Sequence, residues 1–157
     1  MFKVGGWLEQ KKIGMRMMFE GVVAPLLVEQ AKSTAYWKDR TGHARQGITG
    51  GVEGSHENFE VYLGNSTDYG EYLEEGTGIY GPTGQPIVPV RAKILSWVGT
   101  DGKRYYARKV NGIKPYHTLE KTLINNRQAI LELLAEYWEG WVWLLQKQKL
   151  NLIVQTK

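Results

Sequence analysis

Few residues in this 157-residue chain carry chemistry, and their spacing narrows what they can do. Gly76-Thr77-Gly78-Ile79-Tyr80-Gly81 fits the pattern G-x-G-x-x-G. A dinucleotide site needs a strand before that pattern and a helix after it, so that the helix N-terminus meets the pyrophosphate. Here the acidic turn Tyr69–Glu75 precedes it, Pro82-Thr83-Gly84 follows, and Glu74 and Glu75 would repel phosphate. No nucleotide site is expected. His43, His56 and His117 are the three histidines. None stands four residues from another or in an H-E-x-x-H pattern, so three separate surface histidines are expected, not a metal site. Asp68, Glu71, Glu74 and Glu75 fall at helical spacing, and paired carboxylates can do acid–base work. No apolar cluster surrounds them to raise a pKa, so a solvated helix face is the simpler reading. There is no cysteine and no G-x-S-x-G or S-x-x-K pattern. The chain is expected to be no enzyme, with no catalytic residue, cofactor or metal.

One stretch keeps a binding chemistry open. Lys103-Arg104-Tyr105-Tyr106-Ala107-Arg108-Lys109 interleaves cations and aromatic rings. That composition suits a nucleic-acid-binding ribbon, with cations for phosphates and rings for stacking. The competing reading is a strand with alternating faces, in which Tyr105 packs and the basic residues are solvated.

The elements that position these residues fall on either side of a loop, Gly76–Val90. From Gly76 to Gly84 four of nine residues are glycine, and Pro82, Pro86 and Pro89 interrupt any strand or helix. Before the loop, residues 7–38 read as helical, with Phe19, Val22, Val23, Leu26, Leu27 and Gln30/Ala31 forming one apolar stripe. Pro25 sits inside that stripe, so either the helix starts near 21–25 or a longer helix kinks there. Met15, Met17 and Met18 read as gap-filling core. Arg40-Thr41-Gly42 is expected to end the helix, with Gly42 as its stop. Gly47–Ser55 and Phe59–Gly64 read as a hairpin; the first strand, with three glycines in G-I-T-G-G-V-E-G-S after Gly47, is expected to lie at an edge or to bulge. In the second, Phe59, Val61 and Leu63 share a face. Asn65–Asp68 supplies turn and cap chemistry for a short helix to Glu75. After the loop, Arg91–Val98 and Arg104–Val110 flank Asp101-Gly102, a hairpin signal. A long amphipathic helix follows over 117–147, with Leu119, Leu123, Ile130, Leu133, Leu134, Tyr137, Trp141 and Leu144 on its stripe. Trp141 is an interface candidate.

The expected class is α+β: an antiparallel sheet of about four strands in two hairpins, packed against two long helices. One domain over 1–157 is expected, with a core over 15–145, a mobile loop 76–90 and a flexible tail 146–157. A hydrophobic fraction of 42% argues against disorder. No secretory signal and no membrane span is expected. Net charge is +4, but its distribution matters more. Residues 53–75 hold seven acids and no Lys or Arg; residues 91–114 hold seven bases and one acid. These blocks are either two solvated faces, an intrachain pair, or complementary surfaces on neighbouring copies.

Several pieces together resemble a known family. Arg40-Thr41-Gly42 before a glycine-rich strand is similar to the R-T-G of the head–tail joining, or tail-completion, neck proteins of long-tailed bacteriophages. Tyr69-x-x-Tyr72-x-Glu74-x-Gly76-Thr77 resembles that family's Y-x-x-Y-x-E-x-G-T. Pro86–Pro89, the hairpin 93–110 and Gly112-Ile113-Lys114-Pro115-Tyr116 resemble its second half, where Arg-Pro-Phe is commoner than Lys114-Pro115-Tyr116-His117. The likeness runs over 22–135, and the long Trp-rich last helix departs from it. It implies a noncatalytic structural protein of the virion tail or neck, assembled in the host cytoplasm. It implies a ring of six copies, monomeric when free, with DNA passing through without sequence recognition. Its neighbours would be a portal or head-completion (stopper) protein and a tail-tube or terminator protein. The subunit-interface candidates are Tyr69, Tyr72, Glu74, Glu75, Gly76 and Thr77 on one side and Arg91, Arg104, Arg108 and Lys109 on the other, with Trp141. The loop is expected to order on assembly.

Overall fold

In the computed structural model, residues 4–99 and 101–154 are described, with side chains described from 6 to 140. A rod opens the chain: α1 (Val4–Met18), a π turn (Phe19–Val23) and α2 (Ala24–Thr34) run end to end. Pro25 explains the π turn. Proline has no N–H for the carbonyl four residues back, and its ring crowds that carbonyl. The ladder widens just before it, and the Ala24 N–H bonds the Phe19 carbonyl five residues back. The helix thus neither begins at Pro25 nor breaks there. Phe19, Val23, Leu27 and Ala31 are buried, whereas Val22 and Leu26 are exposed, so the apolar stripe is narrower than the sequence suggests. Met15 and Met18 pack against this core and Met17 lies outside it.

The rod stops at Thr34, well before Gly42. Ser33 and Thr34 turn their hydroxyls back onto the Gln30 carbonyl (2.9 and 2.8 Å), which loosens the last turn. Arg45 then captures the free carbonyls of Lys32 and Ala35 and ion-pairs with Asp39. Gly42, in the left-handed region, instead leads into a single turn, α3 (His43–Gln46).

β1 (Ile48–Gly54) and β2 (Phe59–Asn65) pair antiparallel in unbroken register, so β1 carries no bulge. Its glycines have a packing reason. A Cβ on Gly50 would meet Val28 of α2 at 2.9 Å, so the missing side chain lets helix and sheet close up. Phe59, Val61 and Leu63 face the core as expected. α4 (Gly70–Glu75) and a 3₁₀ turn (Gly78–Tyr80) follow.

β3 (Leu95–Val98) and β4 (Arg104–Ala107) form a second hairpin. The two hairpins do not join: the four strands make two separate two-stranded sheets. The expected single four-stranded sheet is therefore corrected, and only β1–β2 packs on the helices. From 91 to 109, Leu95, Gly99 and Ala107 alone among the described residues are even half-buried. The chain leaves the body after the bridge between Ile87 and Val110.

α5 (Thr118–Val154) lies along α2 and reaches back to α1. Its 37 residues span about 55 Å. The helix runs through the stretch expected to be a flexible tail, up to Val154; residues 155–157 lie outside the described residues. Its first turns do not bury Leu123. They bury Thr118, Thr122 and Asn126, a polar seam whose Asn126 amide donates to Gln30 of α2. Farther on, Ile130, Leu133 and Leu134 join the core of Phe19, Val23 and Leu27. At the far end Lys11 is fully buried against α5. Its Nζ donates to the Trp138 carbonyl (3.3 Å), and the Trp138 ring centre is 4.0 Å away. Burial lowers the Lys11 pKa. The Tyr137 hydroxyl reaches the Lys11 carbonyl (2.9 Å) across Gly14, which explains a glycine inside α1.

Candidate functional site

Two regions collect the residues that the sequence singles out: an internal junction and an exposed arm. The junction forms where α4, the loop after it and the start of α5 meet. Glu74, half-buried, turns its carboxylate onto the first turn of α5. Oε1 accepts from the Leu119 (2.9 Å) and Glu120 (3.0 Å) amides, and Oε2 from Leu119 (3.1 Å). These are free N–H groups at the positive end of α5, so Glu74 caps that helix from another element. The Leu73 carbonyl accepts from Tyr116 (2.9 Å), and Glu74 thereby sits fixed over the helix end. Gly76, at φ +79°, passes so close to Pro115 that a Cβ would stand 2.8 Å from Cδ. Thr77 donates its N–H to the Ile113 carbonyl (2.9 Å) and accepts the Ile113 N–H on Oγ1 (3.0 Å). Gly112, at φ +89°, admits the Thr77 carbonyl where a Cβ would be 2.1 Å from it. Glu74, Gly76 and Thr77 therefore have intrachain tasks, and they hold together two of the motifs on which the family resemblance rests.

The loop 76–90 is tied at both ends. Ile79 donates to the Asn111 carbonyl (2.9 Å), and Ile87 and Val110 form a two-way bridge (2.9 and 3.0 Å). Tyr72, Glu75 and Glu71 remain outside, along a shallow groove of about 190 Å³ against Thr77 and Pro82. Tyr69 faces the opposite way. With Trp37, Arg40, Thr41, Leu73 and Tyr116 it lines a cavity of about 500 Å³. The R-T-G segment, α4 and the Pro115-Tyr116 segment thus meet around one hollow. Trp37 stands edge-on to Tyr116 there (6.0 Å) and donates to Asp39 (3.0 Å). Arg45 holds the Asp39 carboxyl below the usual carboxylate range, with Trp37 adding to the effect.

On the arm, Arg91, Arg104, Arg108 and Lys109 are all exposed, as are Lys93 and Lys103. None of the six makes an ion pair with a described residue. Arg104 donates to Ser96 Oγ (3.0 Å). Register and alternation put Leu95, Trp97, Tyr105 and Ala107 on one face and Ser96, Val98, Arg104 and Tyr106 on the other. Trp97 and Tyr105 stack at 6.0 Å, and the Tyr105 hydroxyl donates to Asp101 (2.7 Å). That bond raises the phenol pKa and lowers that of Asp101. The alternating strand is found, with Tyr105 packed on Trp97 and the basic residues in solvent, although Tyr105 as a whole stays 43% exposed. The side chain of Trp141 lies outside the described residues.

One cluster was invisible in the sequence. Glu9, His56 and Glu57 bring ligand-type atoms within 4.8 Å of one another, joining α1 to the β1–β2 turn. His56 Nε2 meets a Glu9 carboxylate oxygen, and Lys12 stands 3.8 Å from Glu57, so the group is a polar network on the surface. His117 pairs with Glu120 (3.1 Å). The wide sequence separation of Glu9 and His56 hid the contact. Among the described residues no helix is long and apolar enough to cross a membrane. Compared with protein-family models, characterised proteins and solved structures, the chain matches none.

Proposed function

We propose that this chain is a structural protein of the head–tail interface of a long-tailed bacteriophage. Copies form a ring at the neck, around the channel through which DNA passes, and the protein does no catalysis. The observation that carries the reading is the charge layout. The bases of 91–109 stand on an arm with no ion pair to the body, while Glu53, Glu60, Glu71 and Glu75 stand exposed on the body, also unpaired among described residues. An intrachain pairing of the two blocks would have consumed both. Left open on one copy, they suit a head-to-tail contact between copies. The motif resemblance supplies the place, between a portal or stopper and a tail tube or terminator. The test is negative-stain microscopy of particles assembled with and without the gene. DNA-filled heads beside finished free tails support a joint; overlong tubes make it a length-setting cap; complete particles refute the neck role.

A second reading, nucleic-acid binding by the arm, is favoured by the exposed cations beside Trp97 and Tyr106. The stacked pair Trp97–Tyr105 and the Asp101 carboxylate at the tip weigh against it, since both occupy ring faces or place negative charge where a base and phosphate would lie. Anisotropy titration with duplex and single-stranded DNA separates the two. Micromolar or tighter binding with a steep salt slope would select the second.

A further inference from the structure

The two hairpins are each incomplete, and in complementary ways. The β1–β2 sheet buries one face on α2 and leaves the other bare. Alternation puts Thr49, Gly51 and Glu53 of β1 and Glu60, Tyr62 and Gly64 of β2 on that bare face. The glycines make it low. The Tyr62 ring lies across the strand over Gly51, where a Cβ would meet it at 3.0 Å. Beside the ring, the register sets Glu53 directly opposite Glu60, both exposed. Like charges directly across an antiparallel pair are unfavourable, and no described cation relieves them. The face is thus a flat shelf with one aromatic ring and two unrelieved carboxylates.

The arm carries the counterpart. One face of β3–β4 is Leu95, Trp97, Tyr105 and Ala107; Lys103 precedes β4, Arg108 and Lys109 follow it, and Arg104 stands on the other face. A two-stranded ribbon with little beneath it is marginal alone in water. We propose that the arm of one copy seats on the outer face of the β1–β2 sheet of a second copy. The apolar face covers Tyr62 and the glycine floor, and the arm's cations neutralise Glu53 and Glu60. Arms repel arms and shelves repel shelves, so the contact has a direction. This rests on the ring reading and adds to it which surfaces meet.

The chain's lack of cysteine gives a clean test. Full-length Glu60→Cys and Lys103→Cys variants are mixed and oxidised, and the disulfide-linked pair is quantified on a non-reducing gel. Trapping accumulates even from a brief encounter. The expected result is a hetero-pair about tenfold more abundant than that from Lys103→Cys mixed with Asn125→Cys, an exposed site on α5. Adding Glu53→Lys to the Glu60→Cys chain should remove the excess, and adding Lys109→Glu, an exposed position just past β4, to the Lys103→Cys chain should bring part of it back. Circular dichroism confirms that each variant is folded. A hetero-pair no more abundant than the control, or an excess indifferent to the charge changes, overturns the contact whatever the particles show. Particles that assemble without the gene overturn the neck role while leaving the arm–shelf contact to be judged by the gel.

Discussion

Replacing Glu74 with alanine separates two accounts of that residue. Both of its carboxylate oxygens accept amides from the first turn of α5. Losing an N-cap acceptor costs about 1 kcal/mol, and losing an anion at a helix N-terminus costs roughly 0.5 more, for about 1.5 kcal/mol in all. For a chain of this size that lowers Tm by roughly 3–6 °C. Glu74→Gln keeps an acceptor and loses only the charge, so about 0.5 kcal/mol is expected, shrinking further in high salt. Urea unfolding followed by tryptophan fluorescence reads this directly, because Trp37 stands 6.0 Å from Tyr116, beside the capped helix end. A Glu74→Ala chain within about 0.3 kcal/mol of the parent would refute the cap. If that chain kept its stability but lost association, Glu74 would return to the subunit interface, where its sequence context first put it. A charge-reversal test of the interface is therefore better placed at Glu71 and Glu75, which are exposed and cap nothing.

Three further outcomes are expected. Arg45→Ala should cost about 2–3 kcal/mol in urea unfolding, since it strips two carbonyls and a carboxylate of one shared partner; a loss below about 0.5 kcal/mol would show that water replaces it. Asp39→Asn should destabilise at neutral pH but converge on the parent in acid. Asp39 has a lowered folded pKa, so its stabilisation is complete above the ordinary aspartate pKa near 3.9 and vanishes as pH falls through the folded value; a constant difference from about pH 6 to 2 would contradict this. Hydrogen exchange should find the Thr77 and Ile79 amides protected and those of Thr83 and Gln85 fast, and Gly112→Ala should abolish the protection at Thr77; uniformly fast exchange from 76 to 84 would mean the loop is untied.

The local pattern of this chain was legible where periodicity decides it. Phe59, Val61 and Leu63 alternate and do face the core, and the Asp101-Gly102 turn does join two strands. What escaped were contacts between distant segments. Lys11 reads as one more surface cation, yet rings from the other end of the chain enclose it. Thr118, Thr122 and Asn126 are polar, yet they form the buried seam of α5: the Asn126 amide donates to Gln30 and the Thr122 hydroxyl to the Thr118 carbonyl. Glu74 looks identical to its exposed neighbours until α5 arrives above it. Two hairpins of similar strand content gave no sign that one would pack and the other stand free, since that depends on contacts with α2 that only β1–β2 makes in strength. The candidate site divides the same way: composition exposed the basic arm, while the roles of Glu74, Gly76 and Thr77 needed the third dimension.

The π turn at Phe19–Val23 also sets the phase of the rod. Each residue of a helix turns it by about 100°, so one extra residue in the ladder swings everything upstream by that angle. α2 aims Leu27 and Ala31 at the body, and the swing lets α1 aim Lys11 at the rings of α5 from the same rod. Taking one residue out of the turn would swing α1 by that angle and point Lys11 elsewhere. The inserted residue thus acts as a coupling set at a fixed angle, which lets one continuous rod serve two partners that lie at different azimuths around it.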